Sequence, residues 1–389
     1  MIYDEAGDFI NHFCKVSLGD KKGIFSDKGV EVITPKYDEI EYYYFSPKSY
    51  GYFIHNYTAV RIADKWGAVS DKGVEVITPK YDFVDIFSNG LFKVSLDDKY
   101  GYVNELGKEV VPLKYDSAYT FHQGIAVVGV DDNNKNTKYG LIDVTGREVT
   151  PLKYGYIYDF HSGLAVVHVA ENYGYINKKG EEVIPLVYNL AEDFDGGIAV
   201  VRKVIKDSNG DPAIKYGFIN SKGEFYIPLK YDIIVPNFKF GLSKVGVNKE
   251  NRKYSWEYKY GLVSKQGVEV VLPIYDDINV LNKNLVVLEK DKKCVLATPD
   301  GYILESSEYD SIYVNTHKDP VVVVKLKDKY GLISAVDAKP ITDVKYDEVG
   351  RLDKKSNTIS ARIGNSWGIV NTKGEEFGFI NSNTKSVSM

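Results

Sequence analysis

The chain has 389 residues, 44% of them apolar, with 49 Lys and Arg against 54 Asp and Glu for a net charge of −5. That apolar content is enough for a packed core and excludes a disordered chain. The slightly acidic balance argues against nucleic-acid or anionic-membrane binding, which concentrates basic residues.

The two cysteines, Cys14 and Cys294, are far apart and show no ligand-like spacing. Neither a disulfide framework nor a zinc site is expected, and no cofactor is implied. Met1 to Glu5 are acidic and no apolar run of leader length follows, nor does any stretch approach 18 apolar residues. The expectation is a soluble, cytoplasmic chain with no membrane insertion.

In chain order, residues 1–22 come first as a partial unit: Phe13-Cys14-Lys15-Val16-Ser17-Leu18 parallels Phe92-Lys93-Val94-Ser95-Leu96, so it reads as a strand of the last type. From residue 23 to 380 one pattern then recurs about ten times. Its marker is the Gly of an aromatic-Gly pair, at Gly23, Gly67, Gly101, Gly140, Gly174, Gly217, Gly261, Gly331 and Gly368, with a degenerate copy at Val295. Six residues later stands a second Gly, as at Gly29, Gly73, Gly107 and Gly374, with Asp337 as the one substitute. This is the positive-φ position of a hairpin turn, where glycine carries no steric penalty and Asp a tolerable one.

Each copy closes on a tyrosine: Tyr37, Tyr81, Tyr115, Tyr154, Tyr188, Tyr231, Tyr275, Tyr309 and Tyr346. The spacing from marker to tyrosine is 14 in eight copies and 15 in the last, whereas tyrosine to next marker varies from 20 to 30. A fixed half and a variable half imply a structural core with tolerant loops. Pro35, Pro79, Pro112, Pro151, Pro185, Pro228 and Pro273 interrupt the second strand of the fixed half and predict a bend or bulge there. A third strand, as in Ile125-Ala126-Val127-Val128, is apolar on both alternating faces and is expected to be buried on both. Ser26 to Asp38 and Ser70 to Asp82 are identical over thirteen residues, a mark of tandem duplication. Residues 381–389 are polar, lack the motif, and are expected to form a mobile tail.

The fold class expected is all-β: tandem three-stranded antiparallel units in a coiled repeat array. An open solenoid is favoured, with a closed ring or propeller-like arrangement as the alternative. The aromatic-Gly pair, Gly turn, Val/Ile-Pro step and Lys-Tyr-Asp end resemble the WG-repeat, or KWG-repeat, family of bacteria. The namesake Trp-Gly stands only at Trp66-Gly67 and Trp367-Gly368. The resemblance implies a β-rich repeat scaffold and supplies no catalytic residues to carry over.

Residues repeated ten times are shape residues, since a catalytic group is needed once. The aromatic-Gly rings serve packing between strands, or else a row of glycan platforms. The lysines Lys36, Lys80, Lys114, Lys153, Lys230 and Lys345 are expected to balance nearby Asp rather than track a polyanion. His122, His161 and His168 read as surface histidines, and Asp207-Ser208-Asn209-Gly210-Asp211 as a solvated turn. With no nucleophile elbow or paired catalytic carboxylates, the expectation is no enzyme but a scaffold for a protein partner, with glycan or cell-surface binding as the alternative. Contact is expected in the long inserts 42–57, 131–138, 205–214 and 248–258, which differ between copies and hold the aromatic candidates Tyr42, Tyr43, Tyr44, Trp256 and Tyr258.

Overall fold

The computed structural model describes residues 3–41, 43–46, 49–85, 88–207, 209–235, 238–248, 257–304, 308–313 and 319–379; of residues 43–46 and 49–50 only the backbone is described. The expected tail, 381–389, lies outside them. The described residues contain no helix. They form ten small antiparallel sheets in succession, together with one separate hairpin, Tyr43–Ser46 with Ser49–Gly51. Among the described residues no helix is long and apolar enough to cross a membrane.

The third sheet shows the plan. A two-residue opening strand, Phe83–Val84, pairs with the Val-rich strand Leu91–Leu96, which pairs with the aromatic-Gly strand Lys99–Asn104, which pairs with the Tyr strand Glu109–Tyr115. Sequence reading expected three strands per unit and placed the Val-rich strand last. Seven sheets instead have four strands, and the Val-rich strand joins the aromatic-Gly hairpin that follows it. Phe13–Leu18 accordingly sits in a complete first sheet, paired with Lys21–Ser26. Two-residue opening strands such as Ser117–Ala118 are too short to leave a periodicity in the sequence.

The marker glycine has a steric cause. In eight copies it faces a valine across the ladder, as in Val94↔Gly101 and Val245↔Gly261, while Gly368 faces Ala361. On its other side the Tyr strand slips register around the proline, from Tyr100↔Tyr115 to Tyr102↔Val111, which is the bulge the proline predicts. The bulged backbone folds over the glycine so closely that a Cβ on Gly101 would lie 2.5 Å from the Val111 carbonyl oxygen, and one on Gly67 2.3 Å from that of Ile77. Where Val295 replaces the glycine, the pairing seen among the described residues is the two bridges Cys294↔Tyr309 and Ala297↔Ile303. Gly140 and Gly331 have looser fits, 3.0 Å to the nearest atom, and their Tyr strands are likewise reduced to bridges. There the hydroxyls of Thr150 and Thr342 accept from the amides of Leu141 and Leu332 at 2.8 and 3.0 Å.

The second glycine has φ between 68° and 87° in all nine copies that carry it. Gly107 N–H donates to the Asn104 carbonyl, while Asn104 Oδ1 accepts from the amides of Leu106 and Lys108 at 3.0 Å each. Asp337 does not take the left-handed conformation; its neighbour Ala338 does, at φ 58°. This turn is one residue longer, with Ser334 N–H bonded to the Lys339 carbonyl, which also accounts for the spacing of 15 in that copy.

By internal contacts the chain divides into two compact units, Met1–Val187 and Tyr188–Met389. Within each, successive sheets pack face on face. Tyr102, Val111 and Tyr115 of the third sheet meet Ala126, Val128 and Ile142 of the fourth, and in the second unit Phe218, Ile227 and Tyr231 meet Val245 and Val263. The residue after the marker is fully buried in nine copies, from Ile24 to Leu332, whereas Ile369 in the tenth sheet is 43% exposed.

The long inserts fall at two kinds of place in the unit. Three extend the hairpin between Val-rich and aromatic-Gly strands, as in the ladder of Ile198–Lys206 with Pro212–Asn220. The fourth, 42–57, follows the opening strand Glu39–Ile40 and contains the separate hairpin. Both places are turns, so the sequence gap that spans them merges two kinds of insertion.

Candidate binding site

The Lys-Tyr-Asp ends are joints between sheets. The repeat tyrosines are buried, with Tyr275 partly so, and several donate their hydroxyl to a Glu on the next sheet: Tyr37 to Glu75 at 2.6 Å, Tyr154 to Glu182 at 3.2 Å, Tyr231 to Glu269 and Tyr346 to Glu376. The preceding lysine joins the same carboxylate, with Lys36–Glu75 at 3.0 Å, Lys153–Glu182 at 2.6 Å and Lys230–Glu269 at 2.7 Å. Tyr3, ahead of the first sheet, donates to Glu31 at 2.6 Å in the same way, a copy of the motif that sequence reading passed over.

The lysines therefore do not pair with the Asp two residues on. That Asp bonds a lysine two residues before the marker, as in Lys259–Asp276 at 2.5 Å and Lys293–Asp310 at 2.6 Å. Its other oxygen accepts a backbone amide from the hairpin beyond, Asp291 N–H at 2.8 Å and Lys327 N–H at 2.7 Å.

The Lys153 ammonium beside Glu182 and the Lys345 ammonium beside Glu376 hold these carboxyls below the usual range, and Lys293 does the same for Asp310. A depressed folded pKa contributes stability above the unfolded value of about 4 that is lost as pH falls through the folded one. Melting temperature should thus hold from pH 7 to about 5 and fall below about 4. Glu182→Gln with Glu376→Gln should flatten that fall, which thermal melts across the series will read.

Several of the aromatic-Gly rings carry a cross-strand neighbour on one face. Cross-strand register sets Arg61 opposite Trp66, His168 opposite Tyr173 and Arg362 opposite Trp367. The Arg61 guanidinium lies 5.8 Å from the Trp66 ring centre, Arg362 6.0 Å from that of Trp367, and His168 stacks on Tyr173 at 5.0 Å. One face of each ring is thereby occupied.

Of the aromatic candidates in the inserts, Tyr42 and Trp256 lie outside the described residues. Tyr43 and Tyr44 pair with Gly51 and Tyr50 in the separate hairpin, and Tyr258 pairs with Asn248, its ring 6.1 Å from Tyr260. The first two belong to one compact unit and Tyr258 to the other.

A different cluster stands apart from the repeat. Between the fourth and fifth sheets lies a cavity of about 320 Å³, lined among others by Tyr119, His122, Tyr156, Tyr158, Asp159, Phe160 and Lys178. Its origin is local. Gly155 replaces the usual Asp after Tyr154, and a Cβ there would lie 2.7 Å from the His168 ring. The opening strand then runs six residues, Tyr156–His161, with a register shift between Ile157 and Phe160. Rings pass along it in edge contact, Tyr139 to Tyr156 at 5.4 Å and Tyr156 to Tyr158 at 4.9 Å. Tyr119 and Tyr158 remain 42% and 41% exposed. Burial and a hydrogen bond with Tyr156 push the Tyr119 hydroxyl up to about 12, so it stays a neutral donor and acceptor at neutral pH.

Sequence reading singled out His122 here but not the tyrosines. The available signal was the run Tyr154-Gly155-Tyr156-Ile157-Tyr158-Asp159-Phe160, where aromatic residues alternate and the repeat's Asp is missing. Among the described residues no group of three or more His, Cys, Asp or Glu is arranged to hold a metal ion. At Asp207 the side chain caps its own turn, accepting from Asn209 and Asp211 amides at 2.8 and 3.0 Å.

A family model described as WG containing repeat matches six segments: residues 66–100, 100–133, 139–169, 173–203, 216–250 and 260–294. No curated protein matches the chain at a significant level. Among solved structures, the chain is similar to the crystal structure of the eukaryotic initiation factor at 12% identity, covering 83% of this chain and 96% of that one with a TM-score of 0.31. It is also similar to apo AztD from Citrobacter koseri at 12% identity, covering 76% and 92% with a TM-score of 0.26. Likenesses of this size carry no functional argument.

Proposed function

The chain belongs to the WG containing repeat family, and from that premise we propose that it is a non-enzymatic repeat scaffold that binds a partner protein. The observation that carries this reading is the tyrosine-lined cavity at a joint where a long aromatic opening strand replaces the two-residue strand and its Asp. Concave sites of this size with half-exposed tyrosines and a few polar groups accept apolar or aromatic side chains of a partner. The repeat motifs, by contrast, are used up in holding sheet to sheet. The long hairpins at 131–138 and 205–214 would add contacts that vary between homologous copies of the unit.

Half-exposed tyrosine rings with hydroxyl, carboxylate and ammonium groups beside them also suit a sugar, which is the second reading. A linear peptide library displayed on phage and selected on the purified full chain separates the two. Enriched peptides should lose at least tenfold in affinity to Tyr119→Ala, a half-exposed position whose replacement should leave the circular dichroism spectrum intact. No enrichment, together with glycan-array signals that the same variant abolishes, would transfer the site to carbohydrate.

A further inference from the structure

We infer that the joint between the first and second sheets is a further binding site, for a small zwitterion such as an amino acid, with Lys22 taking its carboxylate and Glu5 its ammonium group. The site arises from one departure in the repeat. Eight copies place Tyr or Trp immediately before the marker glycine, whereas the first places Lys22 there. Where the ring is present it helps close the joint: Tyr100, Tyr216 and Tyr260 pack against the cores that join their sheet to the next. Lys22 cannot replace it, because the ammonium group keeps to water and only its stem packs. In place of the ring there is a cavity of about 530 Å³, lined among others by Glu5, Lys15, Ser17 and Lys22 of the first sheet, Glu39 of the second and Tyr52 of the insert. Like the tyrosine-lined cavity it lies between consecutive opening strands, here Glu5–Ala6 and Glu39–Ile40, but its groups are charged.

Strand register lays these groups out. Glu5 stands opposite Ser17, Ser17 opposite Lys22 and Lys22 opposite Tyr37, so the four form a row across one face of the sheet. Neighbouring strands lie about 4.8 Å apart, which sets the backbones of Glu5 and Lys22 roughly 10 Å from each other with the small Ser17 between them. Lys15 and Glu39 neutralise one another across the joint at 3.3 Å. Glu5 and Lys22 remain: among the described residues neither meets a group of opposite charge, and the Lys22 ammonium donates to the Ser17 hydroxyl at 3.4 Å. Its neighbour Lys21, by contrast, is paired with Asp38 at 2.5 Å. Ser17 is 8% exposed, so the floor between the two charges is a buried hydroxyl, and the buried Tyr52 supplies an apolar wall. One charge of each sign over a common cavity complements a molecule that carries both. A simple anion on Lys22 would face Glu5, and a simple cation on Glu5 would face Lys22.

The test is calorimetric titration of the full chain with glycine, 4-aminobutyrate and 6-aminohexanoate, which carry both charges at increasing separation, and with butyrate and butylamine, which carry one each. At least one zwitterion should bind, with butyrate and butylamine at least fivefold weaker. Lys22→Met and Glu5→Gln, each of which removes one charge and keeps the bulk of the side chain, should weaken that zwitterion fivefold or more. Lys22→Tyr restores the ring that eight other copies carry, so it should fill the groove and abolish binding while the melting temperature holds or rises. Failure of all three zwitterions to bind, butyrate binding as tightly as 4-aminobutyrate, or binding that survives Lys22→Tyr would each overturn the inference.

Discussion

Gly73→Ala will cost on the order of 2 to 5 kcal/mol of stability, more than Gly124→Ala. Two penalties combine at this position. Gly73 has φ 77°, where a side chain costs about 1–2 kcal/mol, and its added Cβ would sit 2.0 Å from the Val32 carbonyl oxygen of the preceding sheet, an overpacking cost of about 1–3 kcal/mol. Two other glycines separate the terms. Gly124 has φ 88° with nothing within 4 Å, so Gly124→Ala should show the backbone cost alone. Gly67 has no positive φ but meets the Ile77 carbonyl at 2.3 Å, so Gly67→Ala should show the steric cost alone. Urea unfolding followed by circular dichroism and tryptophan fluorescence will rank the three. Equal losses for Gly73→Ala and Gly124→Ala would mean that the turn does not pack tightly on the sheet before it.

The inter-sheet tyrosines should divide into two kinds when the hydroxyl alone is removed. Tyr231 is fully buried and donates to Glu269, which Lys230 also binds, so Tyr231→Phe should cost about 1.5–3 kcal/mol, the range for hydrogen bonds to charged groups. Tyr231→Ala adds the loss of a large buried ring and should reach about 3–5 kcal/mol or beyond. Tyr115 is as deeply buried, yet its hydroxyl has no hydrogen-bond partner. Tyr115→Phe should therefore be neutral or stabilising by up to about 1 kcal/mol, since it relieves the burial of an unsatisfied polar group. Calorimetric melts of the three variants test this directly. A marked loss from Tyr115→Phe would show that this hydroxyl is satisfied in solution.

The difference between these tyrosines was not legible in the repeat. Both stand 14 residues after a marker glycine. What separates them is the next sheet: Glu269 lies on a continuous strand and reaches Tyr231, whereas Glu148, at the matching place after Gly140, forms only an isolated bridge with Ile142. The Lys-Tyr-Asp motif was legible as a motif, but its partners were not, because Lys153 and Glu182, or Lys293 and Asp310, meet only after the sheets have formed and stacked.

The cavity was hidden for a related reason. Read along the chain, Tyr156, Tyr158 and Phe160 are an ordinary alternating strand, and Tyr119 lies in the loop of another sheet. Only the packing of the fifth sheet on the fourth sets them beside one another.

The sequence by itself determined that the chain is all-β, where its turns fall, and that its proline steps bulge. Those outcomes follow from local backbone sterics: positive φ at Gly107 and its equivalents, and the missing amide at Pro112 and its equivalents. Tertiary structure alone decided which strands share a sheet, which carboxylate each lysine meets, and where an aromatic strand is left at a sheet's end beside a cavity. These depend on contacts between residues tens of positions apart, and a repeated motif, being the same in every copy, carries no mark of which neighbour each copy will meet.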